Sequence, residues 1–365
     1  MLRWCVVLLY AALLPGCATP ENEAWSPRQR AIAHRLRQAG SLSGWIASTD
    51  TIVLQLPDTV RVDVFPRVVA TRLGFYLCNA IGRSVVRVTR RGRFVSAFGR
   101  TGSGPGEFRS IVAAAADTQG LLYVLDNLLA RVSCFTPEGS LLRTISIPNP
   151  FLVRHLCPVA GGSLYLHHAP DSAGGGFVTL VEPEGRKTPL IPSPPEYEAY
   201  YFRGHLEGAL VADRSGAVYE TDAYAPAIRQ LRGGELVRTF GERARGFSPP
   251  EGSRGFASIH HLQSAVMSAT LVRGLFLVAN EELLLQELVG FTNGGRSIDR
   301  RMLIYDTTGV FLGQLAGDAG GIETSDGDAF VKVHNPLPPP GQRSLMSLNR
   351  RPKIVVLHVR GEGHE

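Results

Sequence analysis

The chain has 365 residues, of which 40 are glycine and 24 proline, and it carries 38 lysine plus arginine against 32 aspartate plus glutamate. That abundance of turn formers suits one large domain of short strands and tight turns, and nothing in the composition marks a second domain. The slight basic excess is scattered rather than striped, which excludes a nucleic-acid-binding face.

In chain order, the first predicted element is a targeting segment. Arg3 precedes an apolar run from Trp4 to Leu14, too short to span a membrane and of the length of a signal-peptide core. It ends in Leu14-Pro15-Gly16-Cys17, which resembles the lipobox of bacterial lipoproteins. The resemblance implies cleavage after residue 16 and a diacylglycerol on Cys17, and Ala18 then favours the outer membrane, facing the periplasm or the cell surface. The other reading is an ordinary cleaved signal with an incidental Cys17. Residues 17–48 follow as a tether. Within it Ser26 can cap, Pro27 suits a first helical position, and Arg28 to Gln38 are mostly good helix formers before Gly40 stops them. Arg28, Arg30, Arg35 and Arg37 either hold this helix to anionic headgroups or form a solvated face.

From residue 49 to 365 a repeat takes over. Gly74 with Tyr76, Gly120 with Tyr123, Gly162 with Tyr165, Gly216 with Tyr219, Gly274 with Phe276 and Gly327 with Phe330 place a glycine before an aromatic in an apolar run. The glycines are 46, 42, 54, 58 and 53 residues apart, a period that fits four-stranded propeller blades. A second turn glycine follows at Gly92, Gly139, Gly185, Gly234 and Gly309, and Leu121–Leu125 and Arg131–Phe135 read as strands between such turns. Gly102-Ser103-Gly104-Pro105-Gly106-Glu107-Phe108, then Ala116-Asp117, Gly120, Tyr123-Val124, Asp126, Arg131-Val132, Phe135 and Gly139, resembles an NHL repeat of six-bladed β-propellers. Fainter echoes stand at Ala212-Asp213 and Phe240-Gly241, whereas Ile111 stands where that family usually has proline. The predicted fold is therefore all-β, a six-bladed propeller. Its last strand is Lys353 to Val359, and the otherwise unassigned run Thr51 to Val62 is expected to pair into the last blade and close the ring.

Three cysteines remain beyond the leader, Cys78, Cys134 and Cys157, and their odd number on separate blades reads as buried thiols rather than a disulfide framework. Two insertions break the period. Asn280 to Arg300 is either an extended hairpin or a short amphipathic element, and Asn335 to Arg351 contains the stiff Pro338-Pro339-Pro340. Catalytic signatures are absent: there is no His-Glu-x-x-His, no phosphate-cradling loop and no Gly-x-Ser-x-Gly elbow. Arg109, Arg154, His155, His205, His260 and His261 stand before expected inner strands, where they could crowd the channel mouth and bind an anion or a metal, or else lie apart on separate loops. Glu207 and Glu323 are the acidic candidates there; no metal-ligand set can be assembled without the strand register, and no cofactor is expected. The reading favoured is a lipid-anchored envelope propeller that binds or scaffolds a protein, peptide or glycan, more a binder than an enzyme. The alternative, a metal-dependent hydrolase or lyase at the channel mouth, is an activity found among six-bladed relatives.

Overall fold

The computed structural model describes residues 25–63, 66–147, 153–168, 177–192, 208–250 save 243 and 245, 259–292, 297–318, 322, 324–326, 329–334 and 353–359. Helix α1 (Pro27–Ala39) forms as expected. Ser26 is its N-cap, accepting from the Gln29 N–H while the Gln29 side chain accepts from the Ser26 N–H, and Gly40 ends it at φ 66°. Ile32, Ala33 and Leu36 repeat at helical spacing and form its buried face. A single turn, α2 (Leu42–Trp45), leads into strand β1 (Ile46–Val53).

Six antiparallel sheets of four strands follow. Blade one holds β2 (Arg67–Thr71), β3 (Gly74–Asn79), β4 (Ser84–Val88) and β5 (Phe94–Phe98); blade two holds β6 (Ile111–Ala116), β7 (Leu122–Asp126), β8 (Arg131–Phe135) and β9 (Leu141–Ser146). Blade three is β10 (Val153–Pro158), β11 (Leu164–His168), β12 (Val178–Val181) and β13 (Lys187–Ile191), and blade four is β14 (Ala209–Ala212), β15 (Val218–Thr221), β16 (Ile228–Arg232) and β17 (Glu235–Phe240). Helix α3 (Ile259–Ser268) precedes blade five, made of β18 (Thr270–Val278), β19 (Leu283–Thr292), β20 (Ser297–Asp306) and β21 (Phe311–Ala316). Blade six takes β22 (Thr324–Asp326), β23 (Ala329–His334) and β24 (Lys353–Val359) from the end of the chain and β1 from its beginning.

The first strands of neighbouring blades pack side by side in order, and β2 meets β22, so the ring is closed. Closure by an N-terminal strand is as expected, but the strand is not Thr51 to Val62. The β1 register runs from Ile46 opposite Val359 to Val53 opposite Lys353, while Gln55 has already passed to blade one beside Arg93. Leu54 and Leu56 are buried against blades six and one, which takes them out of the pairing edge. The boundary between tether and ring thus falls within β1, and α1 is itself part of the body. Ile32, Leu36, Leu42 and Trp45 fill the seam between blades five and six, and α1 packs along β21.

Each of the six apolar clusters lies at one blade-to-blade seam, so stability is distributed around the ring. The repeated tyrosines serve these seams. Tyr76 donates to the Gly120 carbonyl of blade two at 3.0 Å, and Tyr165 accepts from the Gly234 N–H of blade four at 3.0 Å. Cys78, Cys134 and Cys157 are buried free thiols, as expected. The blade-five insertion is the extended hairpin, with ten-residue β19 and β20 in full register. The stretch Asn335 to Arg351, with its prolines, lies outside the described residues.

Blade five departs from the predicted grammar. Gly274 and Phe276 lie on the first strand, β18, not at the turn leading into the second. That turn is built by Ala279, Asn280 and Glu281, which hold φ values of 53°, 57° and 70° without any glycine.

Candidate functional site: the axial channel

Six first strands around an axis leave a cavity of about 1250 Å³. Among the residues lining it are Arg67, Arg154, His155, Arg273 and Glu287. Arg72 and Arg214 line it from the turns at one end, while Arg67, Arg154 and Arg273 reach it from first strands of alternate blades, one, three and five. Two do so through a β-bulge, since the register slips between Val153 and His155 and again between Val272 and Gly274, leaving Arg154 and Arg273 as the extra residues. Arg67 and Arg273 are exposed within the channel and Arg154 is half-buried. Burial lowers the Arg154 pKa, yet a guanidinium keeps its proton in any ordinary solution.

Of the lining carboxylates, Asp117, Asp213 and Glu281 stand at the turns, and Glu287 lies deeper in the wall. Glu287 is almost fully buried on β19 and accepts from Arg300 at 2.8 Å. It stands opposite Gly274, where a Cβ would come 3.6 Å from its Oε2. Arg67, Arg154 and Arg273 are the basic groups at the first-strand end of this wall.

His155 is pushed down to about 3, first by loss of water and then by His167, Arg67 and Arg154, so it is a neutral hydrogen-bonding group at physiological pH. Behind it lies a buried polar row. The His167 ring is 5.8 Å from that of His155 and edge-on to Phe177 at 4.2 Å. Its Nε2 is 3.4 Å from Glu220 Oε1, and Glu220 Oε2 accepts from Arg229 at 2.6 Å. Burial dominates both: it pushes His167 down to about 3 against the pull of Asp222, and lifts Glu220 to about 7 against the pull of Arg229. Gly208, at φ 84°, makes room for this row, since a Cβ there would press the His167 ring at 3.1 Å.

Of the residues expected to crowd the channel mouth, the structure brings Arg154 and His155 to the wall. Arg109 is not among the lining residues; its N–H donates to buried Asp126 at 2.6 Å and its carbonyl accepts from Arg83 at 2.9 Å, which fastens the approach to β6. His260 and His261 also stand apart from the lining. They are exposed on α3, because Ile259–Ser268 coils into a helix instead of approaching β18 as extended chain. His205, Glu207, Glu323 and Cys17 lie outside the described residues. Arg67 and Arg273 were not foreseen, and no local signal in the sequence marks them, because bulges and register decide which side chain turns to the axis.

Chemically, this arrangement can hold an anion. Guanidinium groups at a partly dehydrated wall pair strongly with carboxylates or phosphates, and a neutral histidine can add a hydrogen bond. Among the described residues, no group of three histidine, cysteine, aspartate or glutamate side chains could hold a metal ion. Cys157 also lines the channel, but burial pushes its thiol up to about 12, and a thiol that keeps its proton is a poor nucleophile.

The class this architecture defines is the six-bladed β-propeller. No protein-family model matches the chain, and no curated protein sequence matches it. Solved structures share the fold. A Bacteroides fragilis protein inferred to be exported is 11% identical, with a TM-score of 0.63 over 88% of this chain and 97% of that one. A member of the DUF4221 family from Bacteroides vulgatus is 9% identical, with a TM-score of 0.62 over 86% and 97%. An inactive variant of virginiamycin B lyase from Staphylococcus aureus, solved with quinupristin, is 11% identical over 84% and 83%, at a TM-score of 0.45 that carries no argument about this chain. No described helix is long and apolar enough to cross a membrane.

Proposed function

We propose that this protein is a lipid-anchored propeller of the cell envelope, akin to NHL-repeat proteins, that binds an acidic partner at one face of its ring. The observation that carries the reading is the coincidence of long connections and basic channel wall. Connections that lead into first strands, or join second to third strands, lie on one face; the one into β18 runs from residue 241 to residue 269, and its described part includes α3. Arg67 and Arg154 stand at the starts of their strands and Arg273 in the first half of β18, so all three open toward that same face. Long connections on a rigid ring are where recognition concentrates, and converging guanidiniums select carboxylate- or phosphate-bearing protein, peptide or glycan. Lipidation at Cys17 and the outer membrane as its site belong to this proposal, resting on Leu14-Pro15-Gly16-Cys17-Ala18.

Capture from detergent-solubilised envelopes, comparing the native protein with the triple variant Arg67→Gln, Arg154→Gln, Arg273→Gln, tests it. The native ring is expected to retain an acidic partner that salt releases and the variant loses. Equal, salt-insensitive capture by both would remove the channel from recognition.

A further inference from the structure

The docked helix α1 determines which side of the ring lies nearest the start of the chain. Arg28 pairs with Glu282 in the turn between β18 and β19, and Gln29 donates to Asp306 in the turn between β20 and β21, at 2.6 Å. Both turns belong to one face, the one where first strands end. On it each connection between described strands is five residues or fewer, such as Arg72 and Leu73 or the run 136–140. The long connections and the first-strand arginines of the channel belong to the other face.

Trp25, just before the helix cap, is buried, so the chain is held as far as this residue. Eight residue steps separate it from Cys17, a reach of roughly 28 Å if fully extended. Strand β18, nine residues long, already takes roughly 30 Å to climb from the opposite face to the turn where α1 is fastened. A chain anchored at Cys17 therefore reaches a bilayer beside the short-turn face with slack to spare, and one beside the opposite face with none.

The short-turn face also carries a corner suited to lipid. In blade one, Arg72 and Leu73 of the first turn and Arg91 and Arg93 of the next are exposed, with Leu73 at 56%. Acidic residues stand at the turns of the other blades, with Asp117 and Glu138 on neighbouring blade two and Glu182, Glu184 and Asp213 on blades three and four, whereas the two blade-one turns carry none. Basic side chains around an exposed apolar one are the pattern that anionic headgroups attract. We infer that the short-turn face is laid against an anionic bilayer, with Arg72, Leu73, Arg91 and Arg93 as the contact corner, so that the channel's basic mouth points away from the membrane. This rests on the Cys17 anchor.

The test uses the full acylated protein in vesicles of phosphatidylethanolamine and phosphatidylglycerol that carry a nitroxide headgroup lipid. A fluorophore is placed through Thr118→Cys on the short-turn face or through Ile81→Cys, whose native side chain is 83% exposed, on the other. Cys78, Cys134 and Cys157 are buried and stay unlabelled. Quenching is expected to be several-fold stronger at residue 118 than at residue 81, and to weaken when Arg72, Arg91 and Arg93 are changed to Glu. Equal quenching at the two positions, or stronger quenching at 81, overturns the orientation; charge reversal without effect overturns the contact corner. Intact mass of the envelope-purified protein reads the anchor separately. A chain without acyl groups ends both readings, whereas an acylated chain with the label at 81 quenched ends the orientation alone.

Discussion

Glu107 explains why one stretch of the sequence looked so distinctive. Its carboxylate accepts from the Gly104 N–H and from Arg100, both at 2.8 Å, and these bonds hold its pKa below the usual glutamate range. A Cβ at Gly102 would collide with that carboxylate and one at Gly104 would press on it, while Phe108 next door is fully buried. The Gly-Ser-Gly-Pro-Gly-Glu-Phe string is thus a loop whose Gly102 and Gly104 fold around one carboxylate while its phenylalanine enters the core. Gly92 has a similar dependence: at φ 77° a Cβ would strike the Val53 carbonyl of the closing strand. Gly92→Ala should cost about 2–4 kcal/mol, combining left-handed strain with a backbone collision, as read by urea unfolding. His155 and His167 make a second prediction. Both are neutral in the fold with values pushed to about 3 and take up protons when unfolded, so stability present above about pH 6.5 is lost as pH falls toward 3. Glu220, lifted to about 7, works the other way, losing stability as pH rises from about 4.5 to 7, but two histidines outweigh one glutamate. Between about pH 6.5 and 4.5 the net is roughly one proton, or about 1 kcal/mol per pH unit, and the variant His155→Gln, His167→Gln should flatten or reverse that slope in chemical denaturation.

Among elements, α1 shows how much a local rule can reveal and where it stops. Its cap, its proline and its terminal glycine are all sequence signals, and each is found in place. That the helix is a structural part of blade five, rather than a free tether, depends on Ile32 and Leu36 meeting β21, a contact no local pattern announces. Leu36→Ala should cost about 2–5 kcal/mol, the range for a buried leucine, and raise protease cleavage between residues 26 and 45 before the ring itself unfolds. A mild loss with unchanged cleavage would show that the helix is only loosely held. The blade-five turn is the opposite lesson. Gly274 falls into the glycine period although it lies on β18, because Ala279, Asn280 and Glu281 make the blade-five turn without the glycine that marks the others. The channel wall was hidden for a related reason: inner strands of three to nine residues with bulges at Arg154 and Arg273 have no alternation from which an axial side could be read.

For the whole molecule, the six seams and the mixed-end sixth blade predict one cooperative unit. Removing residues through Val53 strips β24 of its outer partner, leaving it paired with β23 alone, and takes Trp45, 3% exposed, out of the seam between blades five and six. Such a truncated chain should lose its single sharp thermal transition, and retention of the native melt would show that the ring closes without β1. The pairing of β1 with β24 also orders events in time. Val53 is bonded into register with Lys353, 300 positions later, so the strand that emerges first waits for the strand that emerges last. For the whole interval of synthesis the nascent polypeptide carries an unsatisfied adhesive edge, and the ring snaps shut only once the far end has been made. A chain whose synthesis stops within the last blade is therefore left as an open, aggregation-prone crescent rather than a nearly finished product.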